Sequence, residues 1–229
     1  MSKAPFRVGF LLFPRLTQLD MTGPYEVLTR MKGAEVHLLW KTREPVKADS
    51  GLAMLPTMTL AECPQLDLVC VPGGPGVIDL LDDEEVLGFL RRQAAGVRFV
   101  TSVCTGSLVL GAAGLLKGKR ATCHWMSRPF LASFGAIPVE QRVVVDGNTV
   151  TGGGVTAGID FALRIVAELE GQAAAEAIQL SIEYDPDPPF KAGSPAVAPA
   201  ALVERTQAAS AERQAARAAR IEEVAARLR

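Results

Sequence analysis

No charge sign dominates this chain of 229 residues. Lys and Arg together number 24 against 25 Asp and Glu, for a net charge of -1. That balance excludes a broad basic face, so nucleic acid is not an expected partner. Only two histidines occur, His37 and His124, and no run of His, Cys and carboxylates has metal-ligand spacing. Neither a Gly-x-x-x-x-Gly-Lys-Ser/Thr loop nor a Gly-x-Gly-x-x-Gly loop is present, so no nucleotide or other cofactor is expected. The four cysteines, Cys63, Cys70, Cys104 and Cys123, include no Cys-x-x-Cys pair. A chain this long can bury a core without disulfide staples. Free thiols and a reducing, cytoplasmic setting are therefore expected. No apolar run approaches the about 20 residues of a membrane span. The run Val8 to Phe13 is also too short for a secretion signal, so no membrane association is expected.

Strand and helix patterns alternate up to about residue 183. Arg7 to Phe13 reads as a strand buried on both faces, Leu19 to Met31 as a helix, and Glu35 to Lys41 as a second strand. Pro24 is tolerable in that helix if it lies in the first turn. Val46 to Leu55 reads as a hairpin around Asp49-Ser50-Gly51, and Leu66 to Val71 as a central strand. A helix follows over Asp82 to Ala95, a strand over Phe99 to Val103, a helix over Ser107 to Leu116 and a short strand over Ala121 to Cys123. Val143 to Thr151 reads as a hairpin turning at Asp146-Gly147. Helices are expected over Thr156 to Leu169 and Ala173 to Glu183. This alternation predicts an α/β, doubly wound, mainly parallel sheet with helices on both faces, in which ligands bind at the carboxyl ends of the strands.

The pattern changes after Tyr184. Residues 1–184 read as one α/β domain, and 185–229 as a Pro-rich linker plus a C-terminal helix. That helix, Pro199 to Arg229, is Ala-rich with a thin apolar stripe of Ile221, Val224 and Leu228. It is too weakly amphipathic to stand alone and is expected to dock on the body or on a partner subunit. The about 45 residues beyond Glu183 leave no room for a paired helix-turn-helix module, against a transcriptional regulator.

Cys104 lies where a strand meets a helix, in Ser102-Val-Cys-Thr-Gly106. The spacing mimics a nucleophile elbow, with Cys for the usual Ser and Ser102 for the first Gly. Gly106 reads as the residue that lets the chain turn. The N-terminal end of a helix favours a thiolate. The alternative is an inert buried thiol. Three further segments fall at strand ends. Asp20 reads either as a helix cap or as a carboxyl beside Cys104, pushed toward protonation by the thiolate. Gly73 and Gly74 read either as an ordinary loop or as backbone donors, with the Gly74 N–H aimed at the reacting centre. Gly152-Gly153-Gly154 with Val155 reads either as a flexible helix entry or as a pocket wall. His37 reads as structural; His124, at a strand end, is able to approach the site.

Taken together, Gln18 to Pro24, Val71 to Gly74, Thr101 to Ser107, Gly118 to Trp125 and Thr151 to Asp160 resemble the ThiJ/PfpI superfamily. With Tyr184 to Phe190 they are most similar to its isocyanide hydratase branch. The resemblance spans about residues 6 to 195 and implies a flavodoxin-like fold and a homodimer. It also implies a cofactor-free reaction, addition of water to a small-molecule isocyanide to give an N-substituted formamide. Cys104 matches the family nucleophile, Asp20 its acid/base carboxyl and Thr105 the threonine after the nucleophile. Protease-type members have His at the position of Thr105, which argues against peptidase activity. The rival readings are a small-aldehyde glyoxalase or deglycase, and a non-enzymatic sensor in which Cys104 is oxidised.

Overall fold

The computed structural model describes residues 4–228. In chain order the elements are β1 Phe6–Leu11, α1 Gln18–Leu28, β2 Ala34–Trp40, β3 Val46–Lys47, β4 Ala53–Met54, β5 Met58–Thr59 and β6 Leu68–Val71. Next come α2 Val77–Leu80, α3 Glu84–Ala94, β7 Phe99–Val103, α4 Gly106–Ala112, β8 Arg120–Ala121, a 3-10 helix Arg128–Phe134 and β9 Ile137–Pro138. The chain finishes with β10 Val143–Asp146, β11 Thr149–Gly152, α5 Ala157–Glu170, α6 Gln172–Ser181, α7 Ala200–Ala209 and α8 Ala211–Arg227.

Seven strands form one sheet in the order β10-β11-β7-β6-β1-β2-β5. Every neighbouring pair is parallel except the β10–β11 hairpin. This is the expected flavodoxin-like α/β arrangement. The central strands β6 and β7 are buried along their whole length, as the continuous apolar runs require. Helices α1 and α5 pack together, while α2 and α3 pack on α4. Phe10, Phe13, Phe89 and Phe161 fill the core. Because β11, β7, β6 and β1 are adjacent and parallel, their carboxyl ends share one edge. The segments after them carry Gly153, Cys104, Gly73-Gly74 and Asp20 respectively.

Several local expectations change. Pro24 sits in the second turn of α1 rather than the first. Its ring lies against Gly158 of α5, where a Cβ would approach Cδ to 2.7 Å. Tertiary packing offsets the missing helix hydrogen bond. The hairpin turns at Gly147-Asn148, because Asp146 still pairs with Thr149 and Gly147 takes φ 58°. The strand expected at Ala121 to Cys123 is Arg120–Ala121, paired with β9 outside the main sheet. The short elements β5 and α2 and the 3-10 helix lie below the length at which periodicity is legible. The C-terminal helix is broken at Ser210 into α7 and α8, and residue 229 lies outside the described residues. Ile221, Val224 and Ala225 of α8 are buried, and α8 packs on the 3-10 helix. Arg220 and Arg227 pair with Asp82.

Gly106 does not make the turn that the sequence predicts for it; Cys104 takes the positive φ instead. Gly106 lies where α4 crosses the end of β6, and a Cβ there would stand 2.0 Å from the Val71 carbonyl oxygen. A backbone carbonyl in a central strand cannot yield. Gly106→Ala is therefore expected to destabilise the fold by about 1–3 kcal/mol or more, measured as a lowered denaturant midpoint at unchanged slope.

Candidate active site

The chain turns sharply at Cys104 itself, which takes φ 54°. That left-handed conformation is disfavoured for a residue with a Cβ and persists only where the surroundings impose it. Two features do so. The Cys104 N–H donates to the Gly152 carbonyl at 3.0 Å, extending the β7–β11 ladder to the corner. Behind the strand, a buried chain of hydroxyls braces the elbow. Ser107 Oγ donates to the Thr122 carbonyl at 2.7 Å, so the Ser102 hydroxyl, 2.8 Å away, is left to donate to Ser107. The Thr122 N–H donates to Thr151 Oγ1 at 2.9 Å. Sequence reading missed these hydroxyls. The only signal was a cluster of Ser and Thr in segments otherwise apolar.

Asp20 does not cap α1; Thr17 occupies that position. Its carboxyl is fully buried instead, and Oδ2 accepts the Gly73 N–H at 2.8 Å. Oδ1 is buried with no hydrogen-bond partner of acceptable geometry among the described residues, although the Cys104 thiol is its neighbour. Burial, more than any like charge, pushes the Asp20 pKa up to about 7, against the opposing pull of the Gly73 N–H and Cys104. The expected direction holds, while its main cause is desolvation.

The thiol differs from expectation. Burial and then the Asp20 charge push Cys104 well above the ordinary thiol range, and the Thr105 N–H and hydroxyl pull it down only in part. The helix N-terminus is outweighed because Cys104 is 6% exposed. Near neutral pH the proton therefore rests on sulfur, with Asp20 poised to accept it. Thr105 accepts the Gly74 N–H on Oγ1 at 3.0 Å. The Gly74 N–H, expected to point at the reacting centre, is thus engaged in holding Thr105, and the Gly73 N–H in holding Asp20. Gly73 has to be glycine: a Cβ would stand 2.5 Å from the Thr105 nitrogen and 2.8 Å from Asp20 Oδ2.

In front of Cys104 lies a cavity of about 180 Å³. That is small beside drug-sized sites of about 300–1,000 Å³, which fits a small ligand. Cys104, Thr105, Gly74 and Val155 line it; Asp20 and Gly73, bonded to each other, are not part of its wall. Gly153 is not brought to the wall, and its N–H donates to the Arg142 carbonyl at 2.9 Å. His124 does reach the cavity, and burial with the charges of Arg217 and Arg213 lowers its pKa, so it is neutral at pH 7. His37 sits on β2, 3.4 Å from Glu35. Cys63, Cys70 and Cys123 have pKa values raised by burial to about 11, 12 and 12, as inert core thiols do. All four cysteines are free. Among the described residues no cluster of His, Cys, Asp and Glu has the makings of a metal site, and no helix is long and apolar enough to cross a membrane. The unexpected contribution comes from α8, which lends Arg213, Gln214 and Arg217 to the cavity.

Comparison with known proteins places this geometry in context. The DJ-1/PfpI family model matches residues 6–168. The isonitrile hydratase of Pseudomonas putida is 57% identical over 201 residues, covering 88% of each chain. The glutathione-independent glyoxalase DJR-1.2 of Caenorhabditis elegans is 30% identical over 67% of this chain and 82% of its own. A crystal structure of a ThiJ/PfpI family protein from Pseudomonas syringae superposes with a TM-score of 0.92 at 45% identity, covering 97% of this chain and 91% of the other.

The raised Asp20 pKa has a consequence for stability. The folded carboxyl keeps its proton up to about pH 7, whereas the unfolded chain releases it near 3.8. The native state binds more protons across that window, so this group's contribution to stability falls as pH rises through it. Asp20→Asn removes the effect. The melting temperature of the variant relative to the parent is expected to climb between pH 4 and pH 8. A gap independent of pH would show that Asp20 is not protonated in the fold.

Proposed function

The chain belongs to the DJ-1/PfpI family, and from that premise we propose that it is an enzyme that adds water to an isocyanide to give an N-substituted formamide. The substrate class rests on the likeness to the Pseudomonas putida isonitrile hydratase. The chemistry rests on one juxtaposition: a thiol on a strained corner beside a buried carboxyl whose pKa lies near 7. No cofactor enters the reaction as proposed.

The isocyanide carbon both accepts a nucleophile and takes up a proton. As Cys104 sulfur bonds to it, the thiol proton passes to the Asp20 carboxylate and on to that carbon, giving a thioimidate, S–CH=N–R. Thiol and carboxyl thus share one proton, and a resting thiolate is not needed. Thr105, through its N–H and hydroxyl, steadies the charge on sulfur during attack. Asp20 then takes a proton from water as the water oxygen adds to the thioimidate carbon, and passes that proton to the nitrogen. Collapse of the tetrahedral adduct breaks the C–S bond, the adduct's hydroxyl proton goes to sulfur through Asp20, and the formamide is released.

Three further features belong to the proposal. The family resemblance supports a homodimer, which sedimentation would test. The four free cysteines are in keeping with a reducing, cytoplasmic compartment. Residues 1–184 form the catalytic domain, with 185–229 as an appended segment.

Formamide production from cyclohexyl isocyanide tests the reading. Cys104→Ala is expected to abolish turnover, and Asp20→Asn to reduce it at least roughly a thousandfold, as befits a group that moves the proton in both steps. Wild-type turnover is expected to lose rate as pH falls below about 7 and Asp20 becomes protonated in the free enzyme. Formamide formed equally well by Cys104→Ala would rule out the covalent route. No formamide from the wild type, with consumption of methylglyoxal instead, would transfer the assignment to aldehyde chemistry.

A further inference from the structure

The cavity in front of Cys104 carries more positive charge than a neutral isocyanide requires. Arg217 and Arg213 of α8 both line it. Arg217 is 7% exposed, and its Nη1 donates to Ser127 Oγ at 2.7 Å and to Gln214 Oε1 at 3.3 Å. Arg213 is exposed at the mouth, with Nη2 3.0 Å from Ser210 Oγ. Among the described residues neither has a carboxylate within ion-pair distance. The arginines on the outer face of the same helix behave differently: Arg220 and Arg227 both pair with Asp82 and Glu223. A guanidinium buried without an acidic partner is costly, and an anion that completes its hydrogen bonds offsets that cost.

We infer that α8 is the specificity element of this site, and that Arg217, assisted by Arg213, receives a carboxylate on the isocyanide substituent. The preferred substrate class is then a small α-isocyano carboxylate, and the product an N-formyl amino acid. This inference rests on the hydratase reading above. The charged groups facing the cavity are Arg213 and Arg217 on α8 and Asp49 beyond β3. The Asp49 carboxylate is held by Thr17 Oγ1 at 2.8 Å. Cations therefore outnumber anions on the wall, and Asp49 disfavours an anion bound toward Thr17. The carboxylate is directed to the α8 side, leaving the isocyanide carbon toward Cys104. The small volume accords with a compact substituent.

Isocyanoacetate and its methyl ester share a skeleton and differ in charge. In the full-length protein, the ratio of their kcat/KM values isolates recognition of the carboxylate. Arg217→Met is expected to lower that ratio on the order of ten- to a hundredfold, chiefly through KM for isocyanoacetate, with the kcat/KM of the ester falling much less. Arg217→Lys is expected to retain part of the preference. Arg213→Gln, at an exposed position that does not threaten folding, is expected to lower the ratio by a smaller factor. An equal fall on both substrates in Arg217→Met would mean that the guanidinium serves the thiolate, and would overturn the inference. So would a ratio unchanged by all three variants. Cyclohexyl isocyanide reports separately on the hydratase reading. A binding measurement also stands apart from turnover: N-formylglycinate is expected to protect Cys104 from iodoacetamide better than N-formylglycinamide. Equal protection would sink the carboxylate site, whatever reaction the enzyme performs.

Discussion

Everything in this site depends on one backbone corner. Cys104 holds a left-handed conformation that its side chain disfavours. A corner of that kind is stable only if the atoms around it have nowhere else to go. The last rung of the β7–β11 ladder fixes the Cys104 nitrogen, and the Ser102 and Ser107 hydroxyls, ending on the Thr122 carbonyl, fix the strand and helix on either side. Gly106 lets α4 settle directly on the Val71 carbonyl. The energy stored at the corner is thus supplied by a central, fully buried part of the sheet. The reward is positional: the thiol is lifted out of the strand and set beside the carboxyl of Asp20, which α1 brings from the end of β1, two strands away.

The same burial determines the electrostatics. Removing water from Asp20 and Cys104 raises both acids, and each ionised form disfavours the other. Their two backbone neighbours act in the opposite sense. The Gly73 N–H stabilises the Asp20 carboxylate, and the Thr105 N–H and hydroxyl stabilise a thiolate. The Gly74 N–H locks Thr105 in place for that task. The glycine pair after β6 is therefore a positioning device for two side chains. Its dense geometry explains why no larger residue fits: a Cβ on Gly73 would strike both of them.

Much of this was legible in the chain, for identifiable reasons. Buried parallel strands read as unbroken apolar runs, and short motifs at their ends are brought together by the parallel order. Cys104, Thr105, Asp20 and Gly73 meet for that reason. What local sequence could not convey was desolvation. The helix N-terminus after Cys104 is a local signal that favours a thiolate, but the depth of burial is set by segments far away in the chain, and it wins. Nor could it show which acceptor would claim the Gly74 N–H, since that depends on the Thr105 rotamer. The role of α8 was hidden differently. An Ala-rich helix with a thin apolar stripe gives a weak docking signal, and Arg217 reads as one more solvated arginine until the helix is seen to lie against the 3-10 helix.

That last contact joins the chemistry to the C-terminal segment. Ile221, Val224 and Ala225 anchor α8 beside the strand ends, and Arg220 and Arg227 tie its far side to Asp82. Held in this way, the helix places a buried guanidinium beside Ser127, at the cavity wall. Burial raises the pKa of Asp20 toward neutrality, and the guanidinium offers an anion a place to bind. With a freely solvated α8 the arginines would be screened, and the site would lose one wall. A change in how α8 is seated would move Arg213, Gln214 and Arg217 at once, whereas a change confined to the Arg217 side chain isolates the buried guanidinium.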